Sequence, residues 1–300
     1  IVMKPSSDTP IVAYRFAELM QECGIPKGVV NFITGSGRSI GDYLVGHPKT
    51  RFINFTGSKS VGLHISELSG KTAEGQIWIK RIVAEMGGKN AIVVDNTADI
   101  EEAAAGIVSS AFSLQGQKCS ACSRLIAHED IYDELLKKVT EKAKQLEKGL
   151  GRDNKDFGPV MSQSAYNGIV EYIEIGKKEG NLVLGGTYDD SVGFFIDPTI
   201  IEVDRKAVIA NEEIFGPVLA VMKYKDIEEA IDIANSTEYA LTGALYSKDK
   251  QSIEKAVKEF HVGNLYINHK STGAVVMQNP FGGFNMSGTD AKTGTDDYLR

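Results

Sequence analysis

Apolar positions in this chain follow two spacings, and each switch between them marks a new element. Short runs rich in β-branched and aromatic residues, bounded by Gly, Pro, Asn or Asp, predict strands at 29–33, 51–55, 79–86, 91–94, 218–224, 241–246 and 262–268. Residues 2–4 read as the end of a further strand. A helix should follow them, with Thr9 as N-cap, Pro10 at the first helical position and Gly24 past its end. Another helix opens near Ser58. The best specified helix carries Ala103, Ala104, Ile107, Val108, Ala111 and Phe112 at helical spacing. Asp99 caps it, Glu102 stands three residues later as in a capping box, and Gly116 ends it. Residues 130–148 repeat the pattern through Ile131, Leu135, Val139, Ala143 and Leu146, and 227–235 and 253–260 are further helices. Strand–helix alternation predicts an α/β fold with largely parallel sheets. From Ser271 on, Gly, Ser, Thr and Asp dominate, which predicts loops on the surface or along a site.

Composition narrows the classes. A chain of 300 residues suggests two domains, and the Gly87-Gly88 pair is the natural boundary. The net charge is −7 and no basic stripe occurs, which argues against a nucleic-acid partner. No apolar run reaches the ~20 residues of a membrane span. The opening Ile1-Val2-Met3-Lys4-Pro5 lacks both a signal-peptide layout and an initiator Met, as in a fragment or processed chain. The three cysteines, Cys23, Cys119 and Cys122, are too few for a disulfide framework and suit a reducing cytoplasm. The Cys119/Cys122 spacing leaves a redox pair open. A zinc site would need more ligands, and His47, His64, His128, His261 and His269 are scattered singly.

Candidate chemistry centres on Cys119, on a loop held by the helix before it. A nucleophilic thiol needs a lowered pKa. Lys118 precedes it, but a small buried apolar role is the alternative; Cys122 suits packing better. Glu85, before Gly87-Gly88, is a candidate general base on water or a solvated strand end. Those glycines allow a tight turn and a mobile side chain. The stretch 35–41 resembles a dinucleotide fingerprint with one spacing too long. Gly57-Ser58, joining a strand to a helix start, is the better phosphate candidate, with a plain N-cap as the alternative. Lys4 at a strand end is a candidate for a ribose hydroxyl, or is simply solvated. Glu213 precedes a Pro-stopped turn, and Glu212 beside it is an equal contender. Phe281 walls an apolar pocket or packs in the core.

Taken together, 116–124, 270–274 and 284–290 (GQKCSACSR, KSTGA and FNMSGTD) resemble the aldehyde dehydrogenase superfamily along essentially the whole chain. Within it, they resemble the subgroup that oxidises glutamate semialdehyde. The resemblance implies a partial Rossmann-type cofactor domain over 1–87 and an α/β catalytic domain over 88–283. Residues 284–300 would return toward the cofactor and oligomerisation region. It implies NAD as cofactor, a small-molecule aldehyde as substrate and a cytoplasmic homo-oligomeric parent. Cys119 would form a thiohemiacetal and then a thioester, and Glu85 would activate water. Lys4 would contact the adenosine ribose, Gly57 and Ser58 the pyrophosphate, and Glu213 and Phe215 the nicotinamide ribose and ring. Ser120, Gly273 and Ala274 would bind the substrate carboxylate, and Phe281 its aliphatic part; no metal is implied. Relatives carry more chain at both ends, including an Asn of the oxyanion hole, so truncation is expected. The resemblance also leads one to expect Gly at Met277, Gln at Asn279 and Gly-Pro at Thr295-Asp296. If that Gly uses a positive φ, Met277 carries strain.

Overall fold

The computed structural model describes residues 1–296. In chain order the elements are β1 (Val2–Met3), α1 (Pro10–Glu22), β2 (Asn31–Phe32), α2 (Asp42–Gly46), β3 (Phe52–Thr56), α3 (Lys59–Ser69) and β4 (Arg81–Glu85). Then come β5 (Asn90–Val94), α4 (Ile100–Phe112), β6 (Cys122–His128), α5 (Tyr132–Lys144), α6 (Gln163–Glu179), β7 (Asn181–Leu184), β8 (Tyr188–Asp189), β9 (Phe195–Ile196) and β10 (Thr199–Glu202). The chain continues through α7 (Val208–Asn211), β11 (Val218–Tyr224), α8 (Ile227–Asn235), β12 (Tyr239–Ala240), β13 (Thr242–Tyr246), α9 (Lys250–Glu259), β14 (Asn264–Ile267) and β15 (Phe284–Asn285).

Two compact units divide the chain. One takes 1–54 and 60–82; the other takes 55–59 and the described residues from Val83 on. The smaller unit holds a β1–α1–β2 crossover whose two strands pair in parallel. Helix α1 starts at Pro10, whose missing N–H costs nothing there, and Gly24 past its end takes φ 87°. The predicted strand over 29–33 shortens to two residues.

The larger unit is built on a seven-stranded sheet in the order β14-β13-β5-β6-β11-β10-β7. All pairs are parallel except β7 against β10. Its inner strands are buried on both faces, so their side chains divide between two cores. Ala91, Val93, Ile126, Ala220 and Met222 face one core, with Ile169 and Ile173 of α6, Ala230 and Ile233 of α8 and Ala256 of α9. Ile92, Val94, Leu125, Leu219 and Val221 face the other, with Ala103, Ile107 and Phe112 of α4 and Leu135 and Val139 of α5. Asp99 caps α4 as the pattern predicts, accepting from the N–H groups of Glu101 and Glu102 at 3.1 Å each. The stretch between α5 and β11, for which the pattern specifies no element, holds α6, four short strands and α7. Ser162 caps α6 by accepting from the Ala165 N–H at 3.3 Å. Among the described residues, no helix is long and apolar enough to cross a membrane.

Candidate active site

Loops at the amino ends of β5, β6, β11 and β13 build the site. Cys119 lies in a turn just before β6. The chain reaches it through Leu114 and Gln115, both left-handed at φ 52° and 58°. Backbone of that kind costs of order 1–3 kcal/mol per residue and persists only where the surroundings enforce it. Gly116 follows at φ 65°, and a Cβ there would sit 2.2 Å from the Gly216 carbonyl oxygen, so the turn closes only with glycine.

Buried side chains then hold the turn. Asn90 Nδ2 donates to the carbonyls of Cys119 at 2.7 Å and Ala121 at 2.8 Å, while its Oδ1 accepts the Thr242 N–H at 2.9 Å. The Ser120 carbonyl accepts from Thr242 Oγ1 at 3.4 Å and from Ser271 Oγ at 3.5 Å. Ser271 thereby ties Ser120 to the segment carrying Gly273 (φ 122°) and Ala274.

Glu85 ends β4, where the segment 287–289 pairs with it. The Met86 N–H donates to the Ser287 carbonyl at 2.8 Å, and the Thr289 N–H to the Ala84 carbonyl at 3.0 Å. The Glu85 side chain is 6% exposed, and neither carboxyl oxygen has a hydrogen-bond partner. Burial raises its pKa to about 7; Lys292 opposes the rise and Asp290 adds to it. Gly57 is brought to the same place, its N–H donating to the Glu85 backbone carbonyl at 3.0 Å. Ser58 is exposed beside it. Phe281, half-buried and bridged to Thr293, precedes Gly282, where a Cβ would lie 3.4 Å from Glu85 Oε1.

Of the two adjacent acids before β11, Glu213 is the one turned inward. Its Oε1 accepts the Gly88 N–H at 2.9 Å, and burial raises its pKa. Glu212 is exposed and accepts from the Tyr172 hydroxyl at 2.6 Å. A Cβ on Gly87 would sit 2.0 Å from Glu213 Oε2, and one on Gly88 2.6 Å from the Cys119 carbonyl. Neither glycine has a positive φ. The sequence suggested that this pair serves a turn; the structure shows that it serves close approach. Phe215 is 40% exposed and held at φ 55°.

A lowered thiol pKa is not what the structure shows. Burial pushes the Cys119 thiol up, and the charges of Glu85 and Glu213 push it further. Lys118 does not counter this, its ammonium reaching the Ser113 hydroxyl at 3.4 Å. The resting thiol is therefore neutral at pH 7, and these causes draw Cys119, Glu85 and Glu213 into one electrostatic cluster. Cys122 is buried, donates to the Arg124 carbonyl at 3.4 Å and is pushed up to about 12. It is a packing residue with no thiolate to offer an exchange reaction.

Lys4 belongs to the smaller unit, at the carboxyl end of β1. Its ammonium donates to the carbonyls of Pro5 at 2.6 Å and Gly35 at 3.3 Å. An open cleft beside it is lined by Ser6, Ser7, Thr34 and Ser36. Ends of neighbouring parallel strands are where nucleotides sit in such sheets. Among the described residues, no group of three or more His, Cys, Asp or Glu is placed to hold a metal. Sequence reasoning missed Asn90, Thr242, Ser271 and Lys292. Only Asn90 left a signal, as an amide opening an otherwise apolar strand.

These features are those of a known class. The aldehyde dehydrogenase family model matches residues 1–300, and the chain belongs to that family. Among similar proteins, the 1-pyrroline-5-carboxylate dehydrogenase of a Geobacillus strain is 60% identical over 301 residues, covering 100% of this chain and 58% of the relative. That of Anoxybacillus flavithermus is 59% identical with the same coverage. A solved 1-pyrroline-5-carboxylate dehydrogenase from Thermus with bound NAD superposes with a TM-score of 0.98 at 53% identity, again over 100% of this chain and 58% of that one. Betaine aldehyde dehydrogenase of Staphylococcus aureus, in complex with NAD+, gives 0.92 at 33% identity, over 99% of this chain and 59% of that one. The chain thus spans somewhat over half the length of the relatives it matches.

Proposed function

We propose that this chain carries the thiol chemistry of an NAD-dependent aldehyde dehydrogenase. The whole enzyme would oxidise L-glutamate 5-semialdehyde, the open form of 1-pyrroline-5-carboxylate, to glutamate in proline breakdown. The observation that carries the reading is a neutral, pinned thiol at Cys119 beside a buried, unpaired carboxyl at Glu85. Similarity to the named dehydrogenases supports the substrate.

Cys119 Sγ attacks the aldehyde carbon and forms a thiohemiacetal. Glu85 accepts the thiol proton, since a base with a pKa of about 7 is half-ionised at neutral pH. The chemistry that NAD supplies when bound is two-electron oxidation of that adduct to a thioester. Glu85 releases the thiol proton to solvent, then takes a proton from the water that attacks the thioester and passes it to the departing Cys119 sulfur, releasing the acid and restoring the thiol. The dinucleotide fits the residues present. Glu213 Oε1 is fixed by Gly88, leaving Oε2 for a ribose hydroxyl, and Phe215 presents an exposed ring from an enforced backbone conformation. Gly57 and Ser58 are assigned the pyrophosphate, and Lys4, in its own unit, the adenosine ribose. Ser120, Gly273 and Ala274 are assigned the substrate carboxylate, which a hydroxyl and turn amides bind without a buried cation. Phe281 packs on the aliphatic part.

Turnover of glutamate semialdehyde, succinate semialdehyde and a plain alkyl aldehyde tests the substrate. Preference for the uncharged aldehyde would remove the carboxylate-binding role. Glu85→Gln tests the chemistry: acyl-Cys119 should accumulate, seen by peptide mass spectrometry, while its hydrolysis slows about 10²–10⁴-fold. Unchanged hydrolysis would exclude Glu85 as the base.

A further inference from the structure

A cation stands beside the Glu85 pocket that the chemistry above does not use. Lys292 lies in the segment after β15 that folds back past the end of β4. Its ammonium pairs with Asp290 at 2.6 Å, lies 3.5 Å from the Gly282 carbonyl and sits over the Phe284 ring at 4.5 Å from its centroid. Gly282 is the common neighbour. A Cβ on that glycine would meet Lys292 Cδ at 3.3 Å and Glu85 Oε1 at 3.4 Å. The lysine stem and the carboxyl oxygen therefore face each other across a residue with no side chain. Two further bonds of lysine separate Cδ from the ammonium, so a χ rotation carries the charge between Asp290 and Glu85. Glu85, with neither oxygen partnered, is ready to receive it.

We propose that Lys292 is a positioning residue for Glu85, and that its division between Asp290 and the Glu85 pocket sets the charge that Glu85 carries at neutral pH. The inference rests on Glu85 being the base. The groups that act on the Glu85 charge are burial by β4 and its surroundings, Lys292 and Asp290 from the returning segment, and Cys119 from the turn before β6. Lys292 favours the ionised carboxylate, while Asp290 opposes it and also holds the lysine back. The arrangement lets a buried carboxyl ionise near pH 7 without a permanent ion pair, which would leave it too weak a base.

The test reads the Glu85 carboxyl directly. Infrared difference spectra between the protein and its Glu85→Gln variant, with no aldehyde added, follow the protonated carboxyl band through a pH titration. Lys292→Met keeps the stem and removes the charge; the midpoint should rise by ~1 pH unit, the low end of the effect of a nearby opposite charge. Lys292→Arg should restore it toward the wild-type position. Asp290→Asn should move it the other way. Asp290 is exposed, so this variant decides the matter even if the lysine variants fold poorly. An unmoved midpoint in Asp290→Asn, or in a folded Lys292→Met, overturns the proposal. Failure of the base reading looks different: Glu85→Gln would then hydrolyse its thioester normally, whatever the titration shows.

Discussion

The turn around Cys119 and the loop over 273–279 are both irregular and both assigned to substrate, yet they are held in opposite ways. In the turn, the carbonyls of Cys119, Ser120 and Ala121 all accept from the side chains of Asn90, Thr242 or Ser271. In the loop, the hydrogen bonds of Val275, Gln278 and Asn279 are local, from Gln278 and Asn279 to Val275 and back. Val275, Val276 and Met277 are exposed there. The difference fits the chemistry proposed for each. A nucleophile must meet a carbonyl carbon within a fraction of an ångström, because a displaced attack geometry costs orders of magnitude in rate. A loop that recognises a flexible, charged far end needs only suitable N–H groups within reach. Buried polar side chains accordingly hold the turn, and none of those loop hydrogen bonds comes from one.

Two asparagines put that contrast to its strongest test. Asn90→Ala removes three hydrogen bonds, leaving two carbonyls and the Thr242 N–H unpaired in partly or fully buried surroundings. At ~1–3 kcal/mol for each buried group left unsatisfied, the loss should be at least about 3 kcal/mol. Asn279→Ala removes one exposed acceptor, of the Val275 N–H, and should cost under about 1 kcal/mol. Urea denaturation of both variants reads the difference. Equal costs would show that the turn is no better held than the loop.

Glu85 sharpens the comparison on the turn's side, because burying it costs stability. Its folded pKa, about 7, lies above the unfolded value near 4.5. Below the unfolded value both states are protonated and no penalty exists. As the pH rises from 4.5 to 7, the unfolded state releases its proton first, so stability falls; above 7 the loss is complete. A shift of this size corresponds to a penalty of about 3 kcal/mol. Glu85→Gln should therefore stabilise the fold at pH 8 by an amount of that order and have little effect at pH 4.5. Thermal melts at the two pH values measure this. A pH-independent effect would mean that Glu85 is not desolvated in solution.

How far the sequence reveals this depends on the range of the interaction. Local signals carried well for the helices: Pro10 and Gly24 bracket α1 and Asp99 caps α4, although Thr9 makes no side-chain cap on α1. Helix α6 was not legible, although Tyr166, Ile169 and Ile173 are buried along it. Gly176 interrupts its apolar stripe, and the strands that follow have two to four residues each. The clamps on the turn were invisible for another reason. Asn90 and Ser271 act on backbone 29 and 151 positions away, and only the folded sheet brings those atoms together. The thiol misled for the same reason: Lys118 is its neighbour in sequence, but the groups that set its charge are Glu85 and Glu213.

The smallest expected effect lies in the loop, at Met277. The resemblance calls for glycine at 277; the chain has Met277, and the structure holds it at φ 68° with its side chain 84% exposed. An exposed thioether gains little by packing, so nothing offsets the ~1–2 kcal/mol that the left-handed region costs a residue with a Cβ. Met277→Gly relieves that strain but gives the unfolded chain more freedom, which returns roughly 0.5–1 kcal/mol. The net expectation is a stabilisation of about 1 kcal/mol or less, too small to matter for the fold and large enough for a denaturant titration. Kinetics carry the more telling reading. If the loop only recognises the far end of the substrate, Met277→Gly should change KM for glutamate semialdehyde and leave kcat alone, because the turn that holds Cys119 does not depend on it. A change in kcat with constant KM would mean that the loop and the turn move together, and the distinction between them would fail.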